Sequence, residues 1–283
     1  LMVQSINRNR PRDAVQAQLN LGKAIAEQQE AISSGKRLVL PSDDPQGWLE
    51  LSLIARQQTD EAASTANIGR AETRAVQAES SMNEIAAGLT RAKELIVLSN
   101  NDSVSAVDRE GIAIELEGIR ANFRDILDQG DPFGGKLFGT IAIEVPIGGT
   151  RNVVASPTYA RIAENIPDGS GGTTSIEQLF QDAIDAMRTG TQPEREGMLR
   201  PVDKVIDHMT QMLTEQGVVK GRLNSAREQY SESRIVLASR RKEIEEVDVS
   251  EAITRLQALQ VSLEAAQAVY AKIEQRSLMD YLR

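Results

Sequence analysis

VSEAITRLQALQVSLEAAQAVYAKI, residues 249–273, decides how this chain must fold. Val249, Leu256, Leu263 and Tyr270 recur every seven residues, and Ala252, Leu259, Ala266 and Ile273 fill the intermediate steps, a heptad sustained over more than three repeats. A stripe that narrow needs a partner helix. Near the start of the chain Leu21, Ile25 and Ile32 recur at steps of four and seven in a run rich in Gln and Ala, too weak a stripe to hold an isolated helix in water. The two ends are therefore expected to lie side by side. The expected fold is mainly α: an elongated antiparallel helical bundle or coiled coil formed by the N- and C-terminal segments, with a small central β-rich insertion.

Between the ends, punctuation is legible. Residues 13–34 read as a helix that stops at Ser33-Ser34-Gly35, where glycine can adopt the left-handed conformation. Leu38-Val39-Leu40-Pro41 reads as extended, because the residue before a proline avoids helical geometry. Ser42-Asp43-Asp44-Pro45 supplies helix caps ahead of a proline suited to a first turn. From there a long helix is expected to about Asn100, carrying Ile68, Ala75, Met82, Leu89 and Ile96 at steps of seven and Ala71, Ala78, Ile85 and Ala92 between them. Ser105 with Asp108 marks the next helix start, followed by a stripe of Ile112, Leu116, Ile119, Phe123 and Ile126.

Residues 130–172 hold nine of the twenty glycines and four of the nine prolines, with short apolar runs such as Ile141-Ala142-Ile143-Glu144-Val145 that read as strands. Helical spacing returns at Ile176, Leu179, Phe180, Ile184 and Met187, and pauses at Thr189-Gly190-Thr191-Gln192-Pro193. It then resumes at Val202, Val205, Ile206 and Met209, to run on with little interruption. The expected divisions are residues 1–40, 41–130, 131–174, 175–242 and 243–283: a terminal assembly helix, an outgoing helical arm, the insertion, a return arm and a second assembly helix.

Composition narrows the function. Aromatic residues are 3% of the chain, so narrow bundles packed with Ala, Leu and Ile fit better than a wide globular core. The net charge of −9 and the lack of a long Lys/Arg run argue against nucleic acid as a partner. Absence of cysteine removes disulfides, thiolate metal sites and cysteine nucleophiles. No stretch reaches the length of a membrane span, and the polar start around Asn7, Arg8, Asn9, Arg10 and Arg12 does not resemble a secretory signal. That start points to the cytosol or to export by another route. Leu1 precedes Met2, so the numbering need not begin at the natural start.

Chemical sites are scarce. His208 is the only histidine and has no second ligand at metal-binding spacing, so a surface histidine is expected. Asp43 and Asp44 read as helix caps rather than metal ligands, and Gly134-Gly135-Lys136 and Gly148-Gly149-Thr150 as turns, since neither has the phosphate-loop frame. Arg240-Arg241-Lys242 faces Glu243, Glu245 and Glu246 at helical spacing, a salt-bridged surface. No cofactor or catalytic constellation is expected.

Ser34-Gly35-Lys36-Arg37-Leu38 followed by Pro41-Ser42-Asp43-Asp44-Pro45 resembles the signature near the N-terminus of the flagellin superfamily. The run Val247-Asp248-Val249-Ser250-Glu251-Ala252-Ile253-Thr254-Arg255-Leu256, with Ile273 and Ser277-Leu278-Met279-Asp280-Tyr281-Leu282, resembles its C-terminal region. The likeness spans residues near 13–130 and 175–283. The Lys-Arg and Pro-Ser-Asp-Asp-Pro form is similar to the branch that joins hook to filament. Phe133-Gly134-Gly135-Lys136-Leu137-Phe138-Gly139 and the final Arg283 resemble filament-forming members as much, so both roles stay open.

The resemblance implies paired terminal helices lining a tube, a helical domain outside them and a projecting insertion. It implies a structural subunit assembling head-to-tail, outside the cell on the flagellum, delivered through the flagellar secretion system without a cleaved signal peptide. Implied partners are the preceding hook-associated protein, flagellin, further copies of the chain in a ring or helix, and an export chaperone; neither nucleic acid nor membrane is among them. The expected assembly interface comprises Leu21, Ile25, Ile32, Val249, Leu256, Leu259, Leu263, Tyr270, Ile273 and Leu278. A short filament flagellin is the alternative, and a cytosolic coiled-coil adaptor the remote one.

Overall fold

The computed structural model describes the backbone of residues 10–101, 103–168 and 171–281 and, within those, side chains between 13 and 272. The order is α1 (Arg10–Ser34), α2 (Pro45–Ser99), α3 (Ala106–Leu127), β1 (Glu144–Pro146), β2 (Asn152–Val154), α4 (Tyr159–Ala163), β3 (Ile166–Pro167), β4 (Thr173–Thr174), α5 (Ile176–Arg188), α6 (Gln192–Gly197), α7 (Leu199–Glu245) and α8 (Val249–Tyr281). The fold is mainly α, with two small antiparallel ribbons in the middle of the chain. No helix among the described residues is long and apolar enough to cross a membrane.

Most boundaries follow from local chemistry. Gly35 ends α1 at φ +71°, a conformation that costs a residue with a side chain more than it costs glycine. Asp44 accepts the Gly47 amide at 2.9 Å where α2 begins. Ser105 and Asp108 form a reciprocal capping box at the start of α3. The middle contains less strand than the run from Ile141 suggests. Only Glu144–Pro146 pairs, with Val145 opposite Val153, while Ile141 and Ile143 are exposed, because the partner strand is three residues long. The helical run expected after Val202 breaks between Glu245 and Val249.

The chain divides into two compact units, residues 60–233 and the paired end segments 1–59 and 234–283. Helices α2 and α7 contribute residues to both.

In the 60–233 unit the α2 stripe is sealed: Ile68, Ala75, Met82, Ile85, Leu89 and Ile96 are all 0% exposed. From Ala78 onward it packs with Ile112, Leu116 and Phe123 of α3, Leu179, Phe180, Ile184 and Met187 of α5, and Val202, Val205 and Met209 of α7. Phe123 and Phe180 meet edge to face, their centroids 5.2 Å apart. Gly88 makes that possible, since a Cβ there would come within 2.5 Å of the Phe123 ring. Nearer the other end of the stripe, Ile68, Ala71 and Ala75 pack with Ile147, Val153 and Ala155 of the β1–β2 hairpin and with Leu223 and Ala226 of α7. Gly148 at the hairpin turn has φ +109° and lies against the Tyr230 hydroxyl, leaving no room for a side chain.

Arg74 joins the helix to the insertion. Buried at 6% exposure, it pairs with Asp131 and donates to Ser156 Oγ at 2.7 Å, the Lys136 carbonyl at 2.7 Å and the Leu137 carbonyl at 2.9 Å. Gln216 of α7 adds a second buried link, donating to the Ala75 and Ala155 carbonyls at 3.2 and 2.8 Å. Both side chains satisfy backbone carbonyls that turns and short ribbons leave open.

The end unit is different. Its buried cluster is Leu38, Ile54 and Ile244, with Leu51 and Leu237 packed against them. Gly47 lets Leu38 in: a Cβ there would meet Asp44 Oδ2 at 2.7 Å and Leu38 Cδ1 at 2.9 Å.

Candidate assembly site

Helices α1 and α8 run antiparallel against each other, and Gln18 of α1 reaches the Ala266 carbonyl of α8 at 3.4 Å. On α1 the half-buried positions are Ala14, Gln18, Leu21, Ala24, Ile25, Gln28, Ala31 and Ile32; on α8, Ala252 is buried and Leu256, Leu259, Leu263, Ala266 and Tyr270 are half-buried. Leu21, Ile25, Ile32, Leu256, Leu259, Leu263 and Tyr270 thus lie on the stripes that the two helices turn toward each other within one chain. Val249 is not enclosed, at 45% exposure in the first turn of α8. The side chains of Ile273 and Leu278 lie outside the described residues.

The two linkers beneath this pair are fastened together. The Arg37 amide donates to the Glu245 carbonyl at 2.7 Å and the Val247 amide to the Gly35 carbonyl at 3.1 Å, a short antiparallel bridge. Arg37 Nη2 also reaches the Ile244 carbonyl at 2.9 Å. The carboxylate of Glu245, 16% exposed, takes Lys36 Nζ at 2.5 Å and Arg241 Nε at 2.8 Å. This clasp sets the register of α1 against α8. Motif reading noted Lys36-Arg37 and Glu245 separately; that they meet across the fold has no signal in either segment.

Hydrogen bonds from Lys36 first, then Arg241, hold the Glu245 carboxyl below its ordinary 4.5. A depressed folded-state value means that the contribution to stability is complete above 4.5 and is lost as pH falls through the lowered value. Acid titration followed by circular dichroism is expected to show helix loss below 4.5 that is smaller in Glu245→Gln, which has no carboxylate to lose. Superimposable titrations would remove the clasp's electrostatic role.

Other candidates have local partners. His208 is half-buried, with Nε2 2.8 Å from the Arg161 carbonyl. Asp43 accepts the Val39 and Leu40 amides at 3.2 and 2.8 Å. Gly134-Gly135-Lys136 lies in a turn closed by a bridge between Gly130 and Lys136, and Gly148-Gly149 is the tip of the β1–β2 hairpin. Arg240, Arg241 and Lys242 pair with Glu243, Glu245 and Glu246 along α7. Among the described residues no group of three His, Cys, Asp or Glu side chains could hold a metal ion.

The bacterial flagellin N-terminal helical region matches residues 6–141, and the bacterial flagellin C-terminal helical region matches residues 199–282. The chain belongs to the flagellin superfamily. Those two regions hold α1 and α8, the clasp between them and the sealed α2 stripe. Among flagellin-superfamily relatives, flagellar hook-associated protein 3 of Escherichia coli (strain K12) is 22% identical over 285 residues, covering 88% of this chain and 90% of that one. The protein of the same name from Salmonella typhimurium is 27% identical over 208 residues, 62% of this chain and 64% of its own. The crystal structure of flagellar hook-associated protein-3 from Legionella pneumophila shares the fold with a TM-score of 0.64 at 13% identity, over 68% of this chain and 98% of that one.

Proposed function

We propose that this chain is a structural subunit that joins the hook-associated region of the bacterial flagellum to its filament, and that it assembles through the unit formed by its two ends. The distribution of apolar side chains carries the reading. Of the 41 buried hydrophobic residues described, four lie in the end unit: Leu38, Ile54, Ile244 and Ala252. Of the 22 exposed large hydrophobics described, thirteen lie there, among them Leu19, Leu40, Leu49, Leu53, Ile235 and Val261. A unit with so little interior and so much apolar surface gains its stability by covering that surface, each Leu or Ile contributing roughly 1.5–3 kcal/mol when fully buried.

The names of the Escherichia coli and Salmonella typhimurium relatives favour the junction over the filament itself. The partners are then the preceding hook-associated protein on one side, flagellin on the other and further copies of the chain alongside. Export in an unfolded state through the flagellar secretion channel, with a chaperone on the way, would carry the chain to that extracellular place.

Deleting the gene is expected to leave flagellin made but shed into the medium as monomer. A labelled chain is expected as a band at the distal end of the hook in electron micrographs. Label spread along the whole filament would replace the junction with a short flagellin. Label confined to cells with normal motility after deletion would replace both with a cytosolic adaptor.

A further inference from the structure

Within the 60–233 unit, the β1–β2 hairpin and α7 enclose a cleft of about 370 Å³, where Ile147 and Arg151 of the hairpin face Val218, Arg222, Ser225 and Gln229 of α7. No carboxylate lines it, in a chain whose formal net charge is −9. Most cations of this unit stand against a carboxylate, as Arg91 does against Glu115, Arg161 against Glu215 and Arg227 against Glu72. Arg151 and Arg222 are exceptions. Among the described residues neither makes an ion pair: Arg151 Nη2 donates to Gln229 Oε1 at 3.0 Å, and Arg222 Nη2 to the Asn152 carbonyl at 3.3 Å. Each guanidinium thereby uses one of its five N–H groups on a neutral acceptor. The carboxylate of Glu144, across the hairpin, is taken by Asn152 Nδ2 at 3.0 Å and does not line the cleft.

Ser225 stands one helical turn from Arg222 and one from Gln229, and its hydroxyl has no partner among the described residues. Gln229 is engaged through its oxygen, so its amide nitrogen remains a donor. Two guanidiniums, a hydroxyl and an amide thus present donors with no acid to answer them. Such a set fits a ligand made of acceptors. A carboxylate brings one charge and two oxygens, which a single guanidinium takes in bidentate fashion; a phosphate-type oxyanion brings close to two charges and three or more oxygens, enough for both. Ile147, Val218 and Ala226 supply an apolar wall for a carbon skeleton behind it.

We infer that this cleft binds a phosphate-type oxyanion, free or as the head of a small organic ester, held by Arg151 and Arg222 together. One anion on both side chains ties the hairpin to α7, across the junction where Ile147 and Val153 pack with Leu223 and Ala226. The site lies apart from the two chain ends and does not rest on the assembly reading.

Calorimetric titration of the full-length chain with inorganic phosphate at constant ionic strength is expected to show saturable binding, and hydrogen exchange at Val145 and Val153 is expected to slow as the site fills. Acetate should bind about tenfold more weakly. Arg151→Gln and Arg222→Gln should each weaken phosphate about tenfold, the loss of a charge-assisted hydrogen bond. Arg227→Gln makes the same charge change on the same helix outside the cleft, and should leave binding unchanged. Gly221 also lines the cleft, and a Cβ there meets nothing within 4 Å. Gly221→Leu should therefore fill the cleft and abolish binding while the Tm is kept. Glycerol 3-phosphate separates the sources: tighter binding than inorganic phosphate assigns the ester, equal binding the free ion. No saturable heat, undiminished binding in both cleft arginine variants, or an equal loss in Arg227→Gln would overturn the site. Acetate binding as tightly as phosphate would overturn the ligand class.

Discussion

A chain cut to residues 60–233 is expected to keep a single cooperative unfolding transition and to lose association completely. Nearly all of the described interior lies between those limits: the sealed α2 stripe from Ile68 to Ile96, the Phe123–Phe180 contact, and the hairpin held under Tyr230. The cut removes the small Leu38, Ile54 and Ile244 cluster, which packs apart from those residues. The loss to the remaining unit should be about 1–2 kcal/mol, a shift in Tm within roughly 8 °C for a unit of this size. The effect on assembly is expected to be all-or-none, because α1 and α8 go with the ends. Calorimetry and light scattering on the same preparation test the two halves together. A cut chain that unfolds without cooperativity would show that the ends hold up the interior; one that still associates would move the assembly surface out of the end unit.

Arg74→Ala is expected to be the most damaging single substitution in the 60–233 unit. Asp131 would be left with its side chain 4% exposed and no cation beside it. The carbonyls of Lys136 and Leu137 and the hydroxyl of Ser156 would lose a donor together. Breaking a buried pair from one side costs about 3–5 kcal/mol, because the remaining charge is stranded in the interior. That corresponds to a fall in Tm of roughly 6–20 °C. Adding Asp131→Ala removes the stranded charge and should recover part of the loss, which a simple packing defect would not allow. A cost within about 1 kcal/mol for Arg74→Ala, or no recovery in the double variant, would sink this account of how the insertion is held.

Periodicity and punctuation carried the helices because both act locally. The seven-residue stripe from Ile68 to Ile96 predicts the buried face of α2 position by position, and Pro45, Gly35 and the Ser105–Asp108 box mark where helices begin and end. The insertion was legible as short strands joined by turns, but the strand limits were not. Ile141-Ala142-Ile143 alternates in a way that suits a strand, yet the ladder depends on which residues lie opposite, and β2 offers partners only for Glu144, Val145 and Pro146. Arg74 gave no warning either. In sequence it is one more charge in a polar stretch of α2, and its burial depends on Asp131 and Ser156 arriving from more than fifty residues away.

The amino-acid sequence by itself determined where the helices run, which face of each is apolar, and that the two ends need a partner, because helical repeat, capping and side-chain hydrophobicity are properties of neighbours along the chain. Only the tertiary structure decided that Leu21, Ile25 and Ile32 turn toward the Leu256–Tyr270 stripe within one molecule, and that Lys36 and Arg241 close on Glu245. It thereby decided which apolar side chains of the two helices remain exposed. Register between segments more than two hundred residues apart is set by the clasp and the packing of one helix on another, and nothing within either segment encodes it.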